Sequence, residues 1–198
     1  MMVRHDDWPR APLFPRGSVV TMGVFDGFHR GHQKLLARTV ARGRERDLPV
    51  ALVTFDPHPL AVLAPERAPT QLMPVADRTT HALAHGADHV VVLPFTRALS
   101  KMSAEDFVES GLVDRLRCRI LVVGSNFRCG HRGSGDLAFL SGTGQRLGFD
   151  VEGVDLVQHK ARTCSSTAIR QALAHGDVAL ARELLGREDD RILGLPRV

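Results

Sequence analysis

Ser18-Val19-Val20-Thr21-Met22-Gly23-Val24-Phe25-Asp26-Gly27-Phe28-His29-Arg30-Gly31-His32-Gln33 is the stretch around which the rest of the chain arranges itself. Its apolar run, residues 19–24, predicts a buried strand. A glycine-bearing turn follows, and residues 33–46 then carry Leu35, Leu36, Thr39 and Val40 at helical spacing. Two histidines three residues apart therefore stand at the mouth of a helix. The free backbone N–H groups and positive dipole end of a helix favour an anion there. Imidazoles in the same place add donors that can follow charge building on a phosphate oxygen. Gly23 and Gly27 allow the backbone to approach such a ligand closely. The stretch predicts a nucleotide-phosphate site.

Working outward, strand and helix signals alternate. Residues 49–55 form a continuous apolar run, expected of a strand covered on both faces. Asp56-Pro57-His58-Pro59 ends it, because each proline lacks a donor and turns its predecessor away from helix. The segment to Pro74, with further prolines at 65 and 69, reads as a loop or flap. A helix over 76–86, a strand over 89–93, a helix from Ser103 to about 117 and a strand over 119–123 come next. A helix over 136–147, a strand over 149–157 and two helices, 165–175 and 177–185, complete the pattern. Strand–helix repeats with short links predict an α/β fold: a doubly wound, mainly parallel five-stranded sheet. Ligands in such sheets bind beyond the carboxyl ends of the strands. The expected division is a loose lead-in at 1–17, a domain at 18–187 with a helical end at 165–187, and a tail at 188–198.

The 198 residues are 43% hydrophobic and 24% charged, ordinary values for a globular domain with a sizeable core. Net charge is +4, arginine is spread along the chain and Tyr is absent, so no basic run is interleaved with aromatics. That excludes nucleic acid as the expected partner. Cys118, Cys129 and Cys164 are odd in number and irregularly spaced, which argues against a disulfide framework and for a reducing cytoplasm. No apolar run predicts a membrane span, and the first residues lack the greasy centre of a signal peptide. The oligomeric state stays open.

Four ordered blocks carry a family resemblance: Gly23-Val24-Phe25-Asp26-Gly27-Phe28-His29-Arg30-Gly31-His32, Thr54-Phe55-Asp56-Pro57-His58-Pro59, Val122-Val123-Gly124-Ser125-Asn126-Phe127, and Ser165-Ser166-Thr167-Ala168-Ile169-Arg170. Together with Leu184-Leu185-Gly186-Arg187, they resemble the FMN adenylyltransferase module of bacterial FAD synthetases, in the HxGH nucleotidyltransferase superfamily with its Rossmann-like fold. The resemblance implies ATP with Mg²⁺, and attack by an oxygen of a phosphate-bearing acceptor on the α-phosphorus with loss of pyrophosphate. By motif position it implies catalytic roles for His29, His32 and Arg170. Nucleotide contacts would come from Gly23, Phe25, Asp26, Gly27, Asn126, Ser165, Ser166 and Thr167. The acceptor side would comprise Phe55, Pro57, His58, Leu63, Phe107 and Cys129, while the metal ligands stay open. On their own, Ser165-Ser166-Thr167 would be a helix cap, Asn126 a turn former, Asp56-Pro57-His58-Pro59 a rigid strand exit and Cys129 a small apolar filler. The other histidines, His81, His85, His131, His159 and His175 among them, read as solvated.

Two departures from the family pattern bear on function. Family members continue into a riboflavin kinase barrel, whereas eleven residues follow Arg187 here, so a stand-alone transferase without kinase activity is expected. Leu63 and Cys129 stand where aromatics are usual, and stacking on a flat ring is the natural task of an aromatic. The nucleotide half is thus intact and the acceptor half altered. The preferred reading is a transferase that makes FAD from FMN and ATP. Two alternatives remain: transfer from ATP or CTP to another phosphate or phosphonate, and a catalytically idle nucleotide- or flavin-binding module.

Overall fold

The computed structural model describes residues 3–195, so the expected lead-in and tail extend outside the described residues at 1–2 and 196–198. The order of elements is β1 (Val3–His5), β2 (Ser18–Met22), α1 (Arg30–Arg46), β3 (Val50–Asp56), α2 (Pro59–Leu63), α3 (Val75–Ala84), β4 (His89–Pro94), α4 (Arg97–Lys101), α5 (Ala104–Phe107), β5 (Cys118–Gly124), α6 (Leu137–Leu147), β6 (Asp150–Val154), β7 (Gln158–His159), β8 (Arg162–Thr163), α7 (Ser166–Ala174), α8 (Val178–Leu185) and α9 (Asp190–Leu193). The main sheet is six-stranded in the order β1-β4-β3-β2-β5-β6, and every pairing in it is parallel.

Period-two alternation divides the core into two layers. Val19, Leu52, Val90, Val92, Ile120 and Val122 face α1 and α7–α9. Val20, Met22, Ala51, Val53, Val91, Leu121 and Val123 face α5, α6 and the chain between α5 and β5. Because both faces are covered, the strands read as unbroken apolar runs, and this is why they were legible. Chain direction reverses its progress across the sheet between β2 and β5. The crevice beyond the carboxyl ends of β2, β5 and β6 is therefore the topological switch point.

Four features depart from expectation. The first 17 residues are not a loose lead-in: Val3–His5 pairs with β4 as a sixth strand. Phe14 is buried, and Trp8 packs on Phe107 with ring centroids 5.9 Å apart. Val3–His5 is too short to carry a strand signal, and tertiary pairing decides it. The helix expected from Ser103 to about 117 is α5, capped by the Ser103 hydroxyl, followed by a π-helical turn over Val108–Val113. The first helix begins at Arg30 rather than Gln33, so His29 is its N-cap and His32 lies in its first turn. His81 is half-buried rather than solvated, whereas His85 is exposed as expected. Their rings lie 5.6 and 4.9 Å from that of Phe28. Among the described residues no helix is long and apolar enough to cross a membrane.

Gly111, in the π-helical turn, is buried directly under the Trp8 indole, which a Cβ at this position would overlap. Gly111→Ala should therefore lower stability by about 1–3 kcal/mol by overpacking. Urea unfolding would read this as a reduced midpoint at unchanged slope, and an unchanged midpoint would contradict the docking of Trp8.

Candidate active site

A cavity of about 550 Å³ opens at the switch point. Met22 and Gly23 come to it from the end of β2, Gly124 from β5, and Val154 from β6. Gly31 and His32 belong to the first turn of α1, and Ser165, Ser166 and Thr167 to the start of α7. Two helix N termini therefore open on one crevice. His29 makes no side-chain cap bond, and the N–H groups of Arg30, Gly31 and His32 find no acceptor among the described residues. In α7 the Ser165 hydroxyl accepts from Ala168 N–H at 3.1 Å, while the N–H groups of Ser166 and Thr167 find no acceptor among the described residues. Unpaired donors at two dipole ends make this a site for an extended anion. Gly31 has a steric reason to be glycine: a Cβ there would lie 3.1 Å from the His29 ring and 3.2 Å from the Cys164 carbonyl oxygen.

The two signature histidines stack on each other, with ring centroids 3.7 Å apart and 22° between planes. Neither Nδ1 has a protein partner, although both atoms are buried. Burial pushes His29 down to about 4, with the positive charges of Arg187 and Arg170 adding to the effect. Burial also holds His32 well below its ordinary value, reinforced by His29, Arg78 and Arg187. Both imidazoles are thus neutral at pH 7, each offering one donor and one acceptor. His58 is lowered too, by burial first, while Asp26 opposes that shift.

The turn carrying this pair is cross-braced. Phe25 and Phe28 adopt positive φ, at 54° and 40°, a region that aromatic side chains rarely occupy. Each such residue costs about 1–3 kcal/mol and persists where its surroundings hold it. Arg78, 2% exposed, donates from Nη1 to the carbonyls of Val24 at 2.9 Å and Phe55 at 3.3 Å. Arg187 donates from Nη1 to the carbonyls of Gly27 at 2.8 Å and Phe28 at 2.9 Å. Arg170 pairs with the Asp26 carboxylate and donates from Nε to the Thr70 carbonyl at 2.6 Å. Sequence reading placed only Arg170. Arg78 carried a signal of its own, as a charge on the inner face of α3 four residues before buried Ala82.

The structure brings the nucleotide-side residues together and scatters the acceptor-side ones. His29, His32, Arg170, Gly23, Phe25, Asp26, Asn126, Ser165, Ser166 and Thr167 all line the cavity. Gly27 lies behind that wall, its Cα facing Leu72. Of the six acceptor-side residues only His58 lines it. Phe55 packs edge-on against Phe95, with centroids 5.7 Å apart. Pro57 is exposed at the strand exit, and Leu63 is 49% exposed to solvent. Phe107 is buried beneath Trp8. Cys129 pairs through its backbone with Gly135, and burial pushes its thiol up to about 11, as suits an apolar filler. Sequence reading missed Leu60, Arg67, Phe127, Leu156 and Val157, all on the cavity wall. They sit in irregular or short segments where periodicity carries no signal.

A sequence model of the FAD synthetase family matches residues 12–168. The bifunctional riboflavin kinase/FMN adenylyltransferase of Escherichia coli K12 is 39% identical over 170 residues, covering 86% of this chain and 54% of that protein. Its namesake from Pseudomonas fluorescens is 42% identical over 172 residues, covering 87% and 55%. The chain thus spans about half the length of the curated relatives it matches. Among solved structures, one described as a macrolide-efflux protein from Streptococcus pneumoniae superposes with a TM-score of 0.80 at 25% identity, covering 94% of this chain and 60% of that one. Pantoate-β-alanine ligase from Francisella tularensis shares the fold at a TM-score of 0.59 and 12% identity, covering 96% of this chain and 81% of that one.

The depressed His29 links stability to pH. The unfolded chain takes up a proton near the ordinary value of 6.5, whereas the folded protein does so near 4. Stability is therefore full above pH 6.5 and falls as pH drops from 6.5 towards 4, by on the order of 3 kcal/mol from this group. Thermal melts of His29→Asn should show a shallower acid decline over that window than the parent. Parallel declines would mean that His29 is not buried neutral.

Proposed function

Because the chain belongs to the FAD synthetase family, we propose that it transfers an adenylyl group from ATP to FMN, releasing pyrophosphate and forming FAD. The observation that carries this reading is the convergence of two uncapped helix N termini and a buried neutral histidine pair on one cavity. An oxygen of the FMN phosphate attacks the α-phosphorus, a new P–O bond forms, and the bond to the β-phosphate oxygen breaks. That oxygen leaves with its electron pair on pyrophosphate. No covalent enzyme intermediate is required, so the residues position the groups and meet charge.

Each element has a distinct task in this reading. The N–H groups of Ser166 and Thr167 receive the β- and γ-phosphates, and those at the start of α1 receive the α-phosphate. His29 and His32 enter neutral, and an arriving polyanion favours their protonated forms, which strengthens donation as charge moves onto the leaving group. Leu60, Phe127, Leu156 and Val157 give the cavity apolar walls for the flat rings of base and acceptor. Among the described residues no group of three metal-ligating side chains is present. Asn126, Asp155 and Thr167 line the wall and offer oxygen ligands of the hard kind that Mg²⁺ takes alongside substrate phosphates. Those residues would hold Mg²⁺ beside the nucleotide phosphates. When bound, it neutralises phosphate charge in the ground and transition states.

The scattered acceptor side favours a second reading, in which the same chemistry serves another phosphate-bearing acceptor. One assay decides between them. Protein, Mg²⁺ and ATP or CTP are incubated with FMN, and pyrophosphate and flavin products are measured. FAD formed from ATP is the expected result. Pyrophosphate release that needs an acceptor other than FMN would replace FMN in this reading, and absence of turnover with any pairing would remove the enzymatic reading. His32→Ala should reduce turnover by about three powers of ten with an unchanged fold by circular dichroism. A near-normal rate would take His32 out of the mechanism.

A further inference from the structure

Among the described residues Asp26 is the one buried carboxylate, only 2% exposed. Its Oδ1 accepts the N–H groups of Leu72 at 3.0 Å and Met73 at 3.1 Å. Its Oδ2 accepts Leu72 N–H at 3.1 Å and the Arg170 guanidinium. Its backbone carbonyl accepts the Ser166 hydroxyl at 2.7 Å. A carboxylate is withdrawn from water this far only where donors meet its charge, and here every donor is protein. Three parts of the chain therefore meet at one residue: the signature turn, the exit of segment 57–74, and the first turns of α7.

Segment 57–74 forms one wall of the cavity through His58, Leu60, Arg67 and Pro69. Its far end is held around residues 70–73, by Asp26, by Arg170 through the Thr70 carbonyl, and by Met73, which is buried in the core. Arg170 uses Nε on Thr70 and Nη2 on Asp26, which leaves Nη1 without a partner among the described residues, on a residue that lines the cavity. Two bonds from one planar fork fix the direction of its remaining donor.

We propose that Asp26 is a positioning residue with no ligand contact of its own. It fastens segment 57–74 against the cavity and aims Nη1 of Arg170 at the phosphate end, so that flap and phosphate helix are held as one piece. The aiming half rests on the reading of the cavity as a nucleotide site, whereas the fastening half does not.

Arg67 is exposed within that segment and gives trypsin a reporter bond, while exposed Arg16, at the opposite end of β2, gives a control. In Asp26→Asn, cleavage after Arg67 should accelerate about tenfold, with cleavage after Arg16 changed by less than about twofold, because limited proteolysis follows the local open population. No acceleration after Arg67, or equal acceleration at both bonds, overturns the fastening. Should Asp26→Asn fail to fold, Arg170→Met removes the bonds to Thr70 and Asp26 but keeps both N–H bonds. It should raise cleavage after Arg67 by about threefold or more, and an unchanged rate overturns the proposal. Calorimetric titration with ATP and with inorganic pyrophosphate should show affinity weakened about 10- to 100-fold in Asp26→Asn. Equal affinity overturns the aiming of Arg170. If the parent binds neither probe, the nucleotide reading and the aiming that rests on it both fall, and the cleavage rates still decide the fastening.

Discussion

Everything at the cavity depends on how the chain is held between Val24 and Phe28. Two aromatic residues there take positive φ, and the carbonyls they turn outward would be costly to bury unpaired. Arg78 caps the Val24 carbonyl and Arg187 those of Gly27 and Phe28, and Asp26 draws in Arg170 and the backbone at 72–73. The same bracing sets the entry of α1. His29 therefore becomes its N-cap, and the stacked imidazoles are presented with their Nδ1 atoms unpaired.

The three arginines also set the electrostatics of the pair they support. A buried imidazole beside fixed positive charge stays neutral, and an anionic ligand reverses that balance by supplying the opposite charge. Strain, brace and charge are thus parts of one arrangement. Backbone carbonyls hold Arg78, and carbonyls together with a carboxylate hold Arg187 and Arg170, although Nε of Arg78 and of Arg187 finds no partner among the described residues. The histidines are left unsatisfied because the bracing places no protein acceptor beside them.

The sheet adds the second constraint. Chain progress reverses between β2 and β5, which opens a crevice that the N termini of α1 and α7 both reach although they lie over 130 residues apart in sequence. The residues expected on the nucleotide side converge because most of them sit at strand ends and helix starts, where backbone geometry fixes them. The residues expected on the acceptor side do not, because Phe55, Phe107 and Cys129 are engaged with Phe95, Trp8 and Gly135, while Pro57 and Leu63 are exposed to solvent.

By itself the sequence determined the parallel α/β fold, the strands buried on both faces and the position of the histidine pair at a helix mouth. Each of these is written in short-range periodicity and in the conformational limits of Gly and Pro. The helix cap at Ser165 was legible for the same local reason. Only the tertiary structure decided that Val3–His5 completes the sheet, that Arg78 and Arg187 brace the signature turn, that Asp26 faces protein donors, and that Phe107 lies under Trp8. In each case the partner is distant in sequence, and a buried charge or a three-residue strand is settled by what packs against it.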